Sequence, residues 1–228
     1  MKKLKNPFAR LTVFEWVLWA VSFAVVLASM LLTPSVNIFA LLASLVGVTA
    51  LIFVAKGMVF GQVLTVAFAA LYGVASFGEA LYGEMITYLG MSAPAAIAAI
   101  VAWIENPYGS GDEVKVRRLT ARDIIAVLAL TAAVTAAFYF ILRALGTSQL
   151  IVSTVSVATS FLPSALVFLR SPYYALGYTA NDIVLIVMWS IAAANDISLL
   201  PMVFCFVMFL INDLYGFISW RRMEKRQG

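Results

Sequence analysis

Histidine is missing from this chain, and cysteine occurs once, at Cys205. Without histidine there is no Ser-His or Cys-His nucleophile pair, no histidine proton relay, and little means of building a zinc site. A single cysteine inside an apolar run excludes a disulfide framework and a cysteine metal cluster. No catalytic residues, no metal ligands and no cofactor are therefore expected. Charge is also scarce. Asp, Glu, Lys and Arg make up 11% of the 228 residues, where a soluble domain carries roughly 25%. With hydrophobic residues at 64%, the chain could not cover itself in water, and a lipid bilayer is the expected surrounding. The formal net charge of +4 does not point to nucleic acid, because the basic residues sit in short tails and loops.

What the sequence has instead is long hydrophobic runs. Eight apolar segments stand out, near 14–32, 36–55, 59–77, 84–103, 123–142, 151–169, 175–194 and 199–220. Each is close to the ~20 residues a helix needs to cross a bilayer. The runs are too long for strands and do not alternate, so they read as membrane-spanning helices. Breaks fall at Thr33-Pro34, Gly78, Asn106-Pro107-Tyr108-Gly109, Gly146 and Ser171-Pro172. The basic start followed by an apolar run resembles a signal peptide. The run is long, however, and no A-x-A site closes it, so a retained first span is expected.

Lysine and arginine test the count. With eight spans and both termini cytoplasmic, 14 of the 15 basic residues fall on the cytoplasmic side and only Arg143 on the other. That is the positive-inside asymmetry, and losing one span would spoil it. The expected fold is all-α, one multi-pass domain over 1–228 in a bacterial plasma membrane.

Shifting the chain on itself by 117 residues brings Tyr72 onto Trp189, Trp103 onto Trp220, Gln62 onto Thr179 and Thr65 onto Asp182. Spans 2–4 (36–103) then superpose on spans 6–8 (151–220), with span 5 (123–142) as a linker and span 1 (14–32) as an addition. A shift of four spans preserves direction, so the repeats are parallel. Parallel triple-helix repeats occur in transporters, the sugar-carrying SWEET type among them, with substrate held between the repeats near the midplane.

Polar groups at membrane depth usually face a cavity or one another. In span 7, Tyr178, Asp182 and Trp189 are spaced by about one and two helical turns and share a face. Gln62, Thr65 and Tyr72 do the same in span 3, at the repeat-equivalent positions. Two helices thus present polar ends and aromatic plates toward one axis, where rings can sandwich a flat heterocycle and amides or a carboxylate can bind its polar edges. A cationic solute would be drawn to the aromatics and to Asp182 together. In span 8, Asn212, Tyr215 and Ser219 form one stripe and Asp213 and Gly216 a neighbouring one. Glu84 and Tyr88 lie one turn apart in span 4. Ala20, Ala24 and Ala28 form a small-residue stripe in span 1, the usual mark of helix packing. Trp16, Trp19, Trp103 and Trp220, near span ends, read as interface anchors.

Several strings resemble the PnuC-type vitamin-precursor transporters. They are Tyr82-Gly83-Glu84 with Pro94 and Trp103, the run NDIVLIVMW from Asn181 to Trp189, and LINDLYGFISW from Leu210 to Trp220. The resemblance covers residues 39–220. It implies a SWEET-like arrangement of two three-helix bundles around a linker helix, with an extra first span. It further implies facilitated diffusion of nicotinamide riboside or a similar ribosylated solute, trapping by phosphorylation inside the cell, and a homotrimer. Family binding positions fall on Trp189 and Asn212. Asp182, preceded by Asn181, stands where the family commonly has asparagine, and Ala96 where it commonly has glutamine. These departures leave thiamine, riboflavin or a deoxynucleoside as alternative substrates. The full candidate binding set is Gln62, Thr65, Tyr72, Tyr88, Tyr178, Asn181, Asp182, Trp189, Asn212, Asp213 and Tyr215. Two other classes compete: a substrate-binding subunit of an ATP-driven importer, and an intramembrane enzyme using Asp182 and Asp213 as an acid/base pair.

Overall fold

The computed structural model describes residues 6–33, 37–78, 81–109, 111–147 and 149–228. Lys2, Lys3 and Lys5, Pro34 of the first break and Val36 at the start of the second span lie outside the described residues. Among the described residues nine α-helices form: α1 (Val13–Met30), α2 (Ile38–Ala55), α3 (Val59–Gly78), α4 (Tyr82–Thr87), α5 (Ala93–Glu105), α6 (Ala121–Ala144), α7 (Leu150–Phe168), α8 (Tyr174–Asn195) and α9 (Leu200–Gln227). α4 and α5 are halves of one span joined by a π-turn, Tyr88–Ser92. Pro94 follows that turn; it lacks the N–H of a regular helix and its ring crowds the preceding turn, which favours such a slip in register. Among the described residues eight helical spans are long and apolar enough to cross a membrane. Among the described residues no strand forms, only isolated bridges.

Local sequence explains where the helices begin. Thr12 and Glu15 close a capping box at α1, and Thr120 with Asp123 closes another at α6. Each satisfies N–H groups that a helix start leaves open. Pro201 sits in the first turn of α9, where its missing N–H costs nothing.

Both ends of the described chain lie on one face of the bundle, called here the basic end. The connection between α5 and α6 ties them there. Arg10 pairs with Asp112 at 2.8 Å, Arg226 pairs with Glu113, and Val116 N–H donates to the Gln227 side chain at 2.7 Å. The same connection reaches the ends of two other helices. Val114 N–H donates to Gly57 O at 2.9 Å, and Arg117 N–H donates to Arg170 O at 3.0 Å. Gly57 (φ +64) and Arg170 (φ +58) both adopt the left-handed conformation just past the ends of α2 and α7, the conformation that terminates a helix by turning its last carbonyls onto the following N–H groups.

The packing of the central helices is two-fold in pattern. α2 packs on α3 and α3 on α5, as α7 packs on α8 and α8 on α9. Between these groups, α2 packs on α9 and α5 on α7. Two hydrogen bonds join them near the basic end. Trp103 Nε1 on α5 donates to Val167 O on α7 at 3.0 Å, and Trp220 Nε1 on α9 donates to Val54 O on α2 at 2.8 Å. The two indoles lie 5.5 Å apart and are fully buried, so these tryptophans are internal and not interface anchors. The end-of-span rule misplaced them because it cannot see that the span ends converge on an axis.

α1 and α6 flank this core. Only 6% of the α6 window is buried inside the molecule, so most of its apolar surface faces outward. α1 buries Glu15, Ser22, Val26, Ser29 and Met30. Its alanine stripe, Ala20, Ala24 and Ala28, is exposed, and it is the serine-bearing face that packs on the bundle.

Candidate functional site

The polar face of α3 and that of α8 meet across a cavity near the middle of the bundle. Gln62 and Thr65 come from α3, Tyr88 from the π-turn, Tyr178, Asn181 and Asp182 from α8, and Asp213 from α9. The cavity has a volume of about 60 Å³. On this measure a water molecule takes up ~10–15 Å³, so a few waters fit and a nucleoside does not until the walls part. Ring-bearing and small residues complete the lining, notably Phe68, Phe209, Tyr174 and Gly47. A Cβ at Gly47 would lie 2.2 Å from the Phe209 ring, which is why α2 and α9 can approach so closely here.

The polar residues of the cavity are anchored by helices behind them. Thr159 and Ser160 of α7 donate to Asn181 Oδ1 at 2.8 and 2.9 Å. The Tyr178 hydroxyl shares a 2.9 Å hydrogen bond with Ser164. The Thr65 hydroxyl turns back onto Gly61 O at 3.0 Å. Asp182 and Asp213 are 2% and 3% exposed and line the same cavity, their carboxyl groups near enough to act on each other directly. Asp182 Oδ2 has no partner among the described residues. Among the described residues no lysine or arginine lines the cavity.

Tyr72 and Trp189 sit two turns further along α3 and α8, away from the basic end. Trp189 Nε1 donates to the Tyr72 hydroxyl at 2.8 Å, and that hydroxyl donates onward to Glu84 at 3.4 Å. The Tyr72 and Tyr88 rings are 4.3 Å apart. These side chains, all buried, form a layer across the far side of the cavity; Tyr72 and Trp189 do not line it. Glu84, in the first turn of α4, is 1% exposed.

Asn212 and Tyr215 face elsewhere. Asn212 Nδ2 donates to Ser22 Oγ at 2.9 Å and to Met208 O at 2.7 Å. The Tyr215 hydroxyl donates to Glu15 at 2.8 Å, beside a Lys56–Glu15 ion pair of 2.9 Å. Periodicity resolves two polar stripes on α9, but it cannot say which neighbour each stripe meets. The Asp213 stripe meets the cavity, and the Asn212–Tyr215 stripe meets α1. Tyr174 and Phe209 were not picked out beforehand, although both stand one turn from a residue that was (Tyr178 and Asp213), which is the signal that finds them. Nothing local marks Gly47 or Ser160.

Comparison with known proteins places this architecture. A family model described as "Nicotinamide mononucleotide transporter" matches residues 37–222. The chain belongs to this family. It is 28% identical over 228 residues to the nicotinamide riboside transporter PnuC of Neisseria mucosa, covering 97% of this chain and 86% of that protein. Its identity to the PnuC of Haemophilus influenzae is 24% over 189 residues, 82% of this chain and 80% of that one. A crystal structure of the vitamin B3 transporter PnuC superposes with a TM-score of 0.83 at 26% identity, covering 96% of this chain and 94% of that one. Family membership and the eight apolar spans identify a multi-pass membrane transporter, not an enzyme.

Proposed function

We propose that this protein carries nicotinamide riboside across the bacterial plasma membrane by facilitated diffusion, with phosphorylation inside the cell retaining the product. The observation that carries the reading is the buried cavity between α3 and α8, walled by tyrosines and supplied with amides and carboxylates, in a chain whose relatives bear that transporter's name. A riboside needs both features: ring surfaces for its base, and hydrogen-bonding groups for its hydroxyls and carboxamide. Gln62, Thr65, Tyr88, Tyr178, Asn181, Asp182 and Asp213 hold the solute. Tyr72 and Trp189 close the site on the side away from the basic end and meet the solute when that layer opens.

The working unit is a SWEET-like pair of three-helix bundles, 36–103 and 151–220, joined by the 123–142 linker, with 14–32 as an addition. The two-fold pattern of packing and the paired tryptophan hydrogen bonds support it. The basic end is cytoplasmic, since 11 of the 12 Lys and Arg among the described residues belong to it. The exposed apolar flank of α6 suits a homotrimer interface; crosslinking in native membranes that stops at three chains is the expected result.

Transport is tested in proteoliposomes containing a riboside kinase and ATP. Labelled nicotinamide riboside accumulates with the intact protein, and Gln62→Ala or Asn181→Ala, folded by thermal melting, reduces uptake at least tenfold. Full uptake by both variants would remove the cavity from the substrate path.

A further inference from the structure

We infer that Asp182 and Asp213 form a site where one proton and the positively charged ring of the solute exclude each other, so that each cation bound releases a proton. The inference rests on the riboside reading for the identity of the solute, not for the exchange itself.

The two carboxyl groups come from different helices, line the same small cavity and are almost wholly buried. Two ionised carboxylates repel at this range, and burial removes the water that would screen them. They can share so small a space only with a positive species between them. Among the described residues the lining supplies none. α2 contributes Gly47, Ala50, Leu51 and Val54 to the lining, α3 contributes Gln62, Thr65, Phe68 and Ala69, and α7 contributes Ser160. The titratable groups nearest the pair are Tyr174 and Tyr178 on α8, Tyr88 on the π-turn and Cys205 on α9, all neutral in ordinary water at pH 7. Glu84 lies behind Tyr88 and adds no positive charge.

In the closed cavity the bridging species is a proton: nothing larger than a few waters fits, and among the described residues no third acidic or thiol ligand joins the pair to hold a metal ion. When the walls part, a quaternary ring nitrogen takes the place between the carboxylates, and the bridging proton passes to water. The balance is simple. The pair with one proton carries a single negative charge, and the pair without it but with a monocation carries the same. Two acids that share one proton titrate as a unit, so one exchange event is expected. Tyrosine rings in the same wall favour the cation for an independent reason.

Calorimetry on the purified full-length protein, in two buffers of different ionisation enthalpy and at several pH values, decides it. Nicotinamide riboside should bind with release of one proton, and its affinity should rise with pH by up to about tenfold per unit. Its dihydro form, which has the same ribose and carboxamide but a neutral ring, should show neither effect. In Asp213→Asn an amide can bridge to Asp182 without a shared proton, so proton release and the pH slope should both disappear. Cation binding without proton release, an equal slope for the neutral form, or a slope that survives Asp213→Asn would each overturn the inference. If neither form of the riboside binds, the substrate reading is what fails, and thiamine becomes the probe. Proton release with thiamine sustains the exchange, and its absence with both solutes ends it.

Discussion

Replacing Trp103 and Trp220 by phenylalanine, singly and together, measures what joins the two three-helix groups. Both indoles are buried, at 1% and 0% exposure. Each donates to a carbonyl at the end of a helix in the other group. Neither carbonyl would be left bare, because Val54 O also accepts from Gly57 N–H and Val167 O from Arg170 N–H, each at 2.9 Å. The hydrogen-bond loss therefore falls at the low end of the usual range, about 1 kcal/mol per bond. Shrinking an indole to a phenyl in a packed interior adds roughly 1–2 kcal/mol for the atoms removed. Each single variant should thus lose about 2–3 kcal/mol, which for a chain of this size lowers the melting temperature by about 5–10 °C. The double variant should fall short of the sum by about 0.5–1.5 kcal/mol, since the rings touch. Trp16, 39% exposed, is the control, and its phenylalanine variant should shift stability by less than about 0.5 kcal/mol. Helical circular dichroism during heating in detergent reads all four. If one buried tryptophan proved costly and the other neutral, the two connections would not be equivalent and the two-fold argument would fail.

Three further substitutions probe particular contacts. Lys56→Met should destabilise the protein by about 2–4 kcal/mol, because the nearly buried Glu15 loses its counter-charge; adding Glu15→Gln should recover part of that, and a thermal melt in which Lys56→Met is silent would contradict the pairing. Gly47→Ala places a methyl group against Phe209, which should cost about 1–3 kcal/mol through overpacking and lower riboside affinity in a binding titration; unchanged affinity would mean that α2–α9 spacing does not shape the site. Ser160→Ala removes one of two donors to Asn181 Oδ1 and should cost about 1 kcal/mol, whereas Ser160→Ala with Thr159→Val should cost more than twice that in the same melt, because the buried amide oxygen then loses both donors.

The number of spans and their approximate limits were determined by the sequence alone, because they depend on run length and turn residues, which are one-dimensional. The 20-residue α3 matches the third apolar run almost end to end. The shared faces of Gln62 with Thr65 and of Tyr178 with Asp182 were legible for the same reason: helical periodicity converts spacing into direction. Tertiary structure decided which faces meet. Asn212 and Tyr215 stand on the same helix as Asp213, yet they turn to α1, because a neighbour a whole chain away, with Ser22 and Glu15, satisfies them. Tyr72 and Trp189, 117 residues apart, become hydrogen-bonded partners only when α3 and α8 converge. The meeting of Asp182 and Asp213 in one cavity likewise arises from the way two helices pack, and no pattern within either helix encodes it.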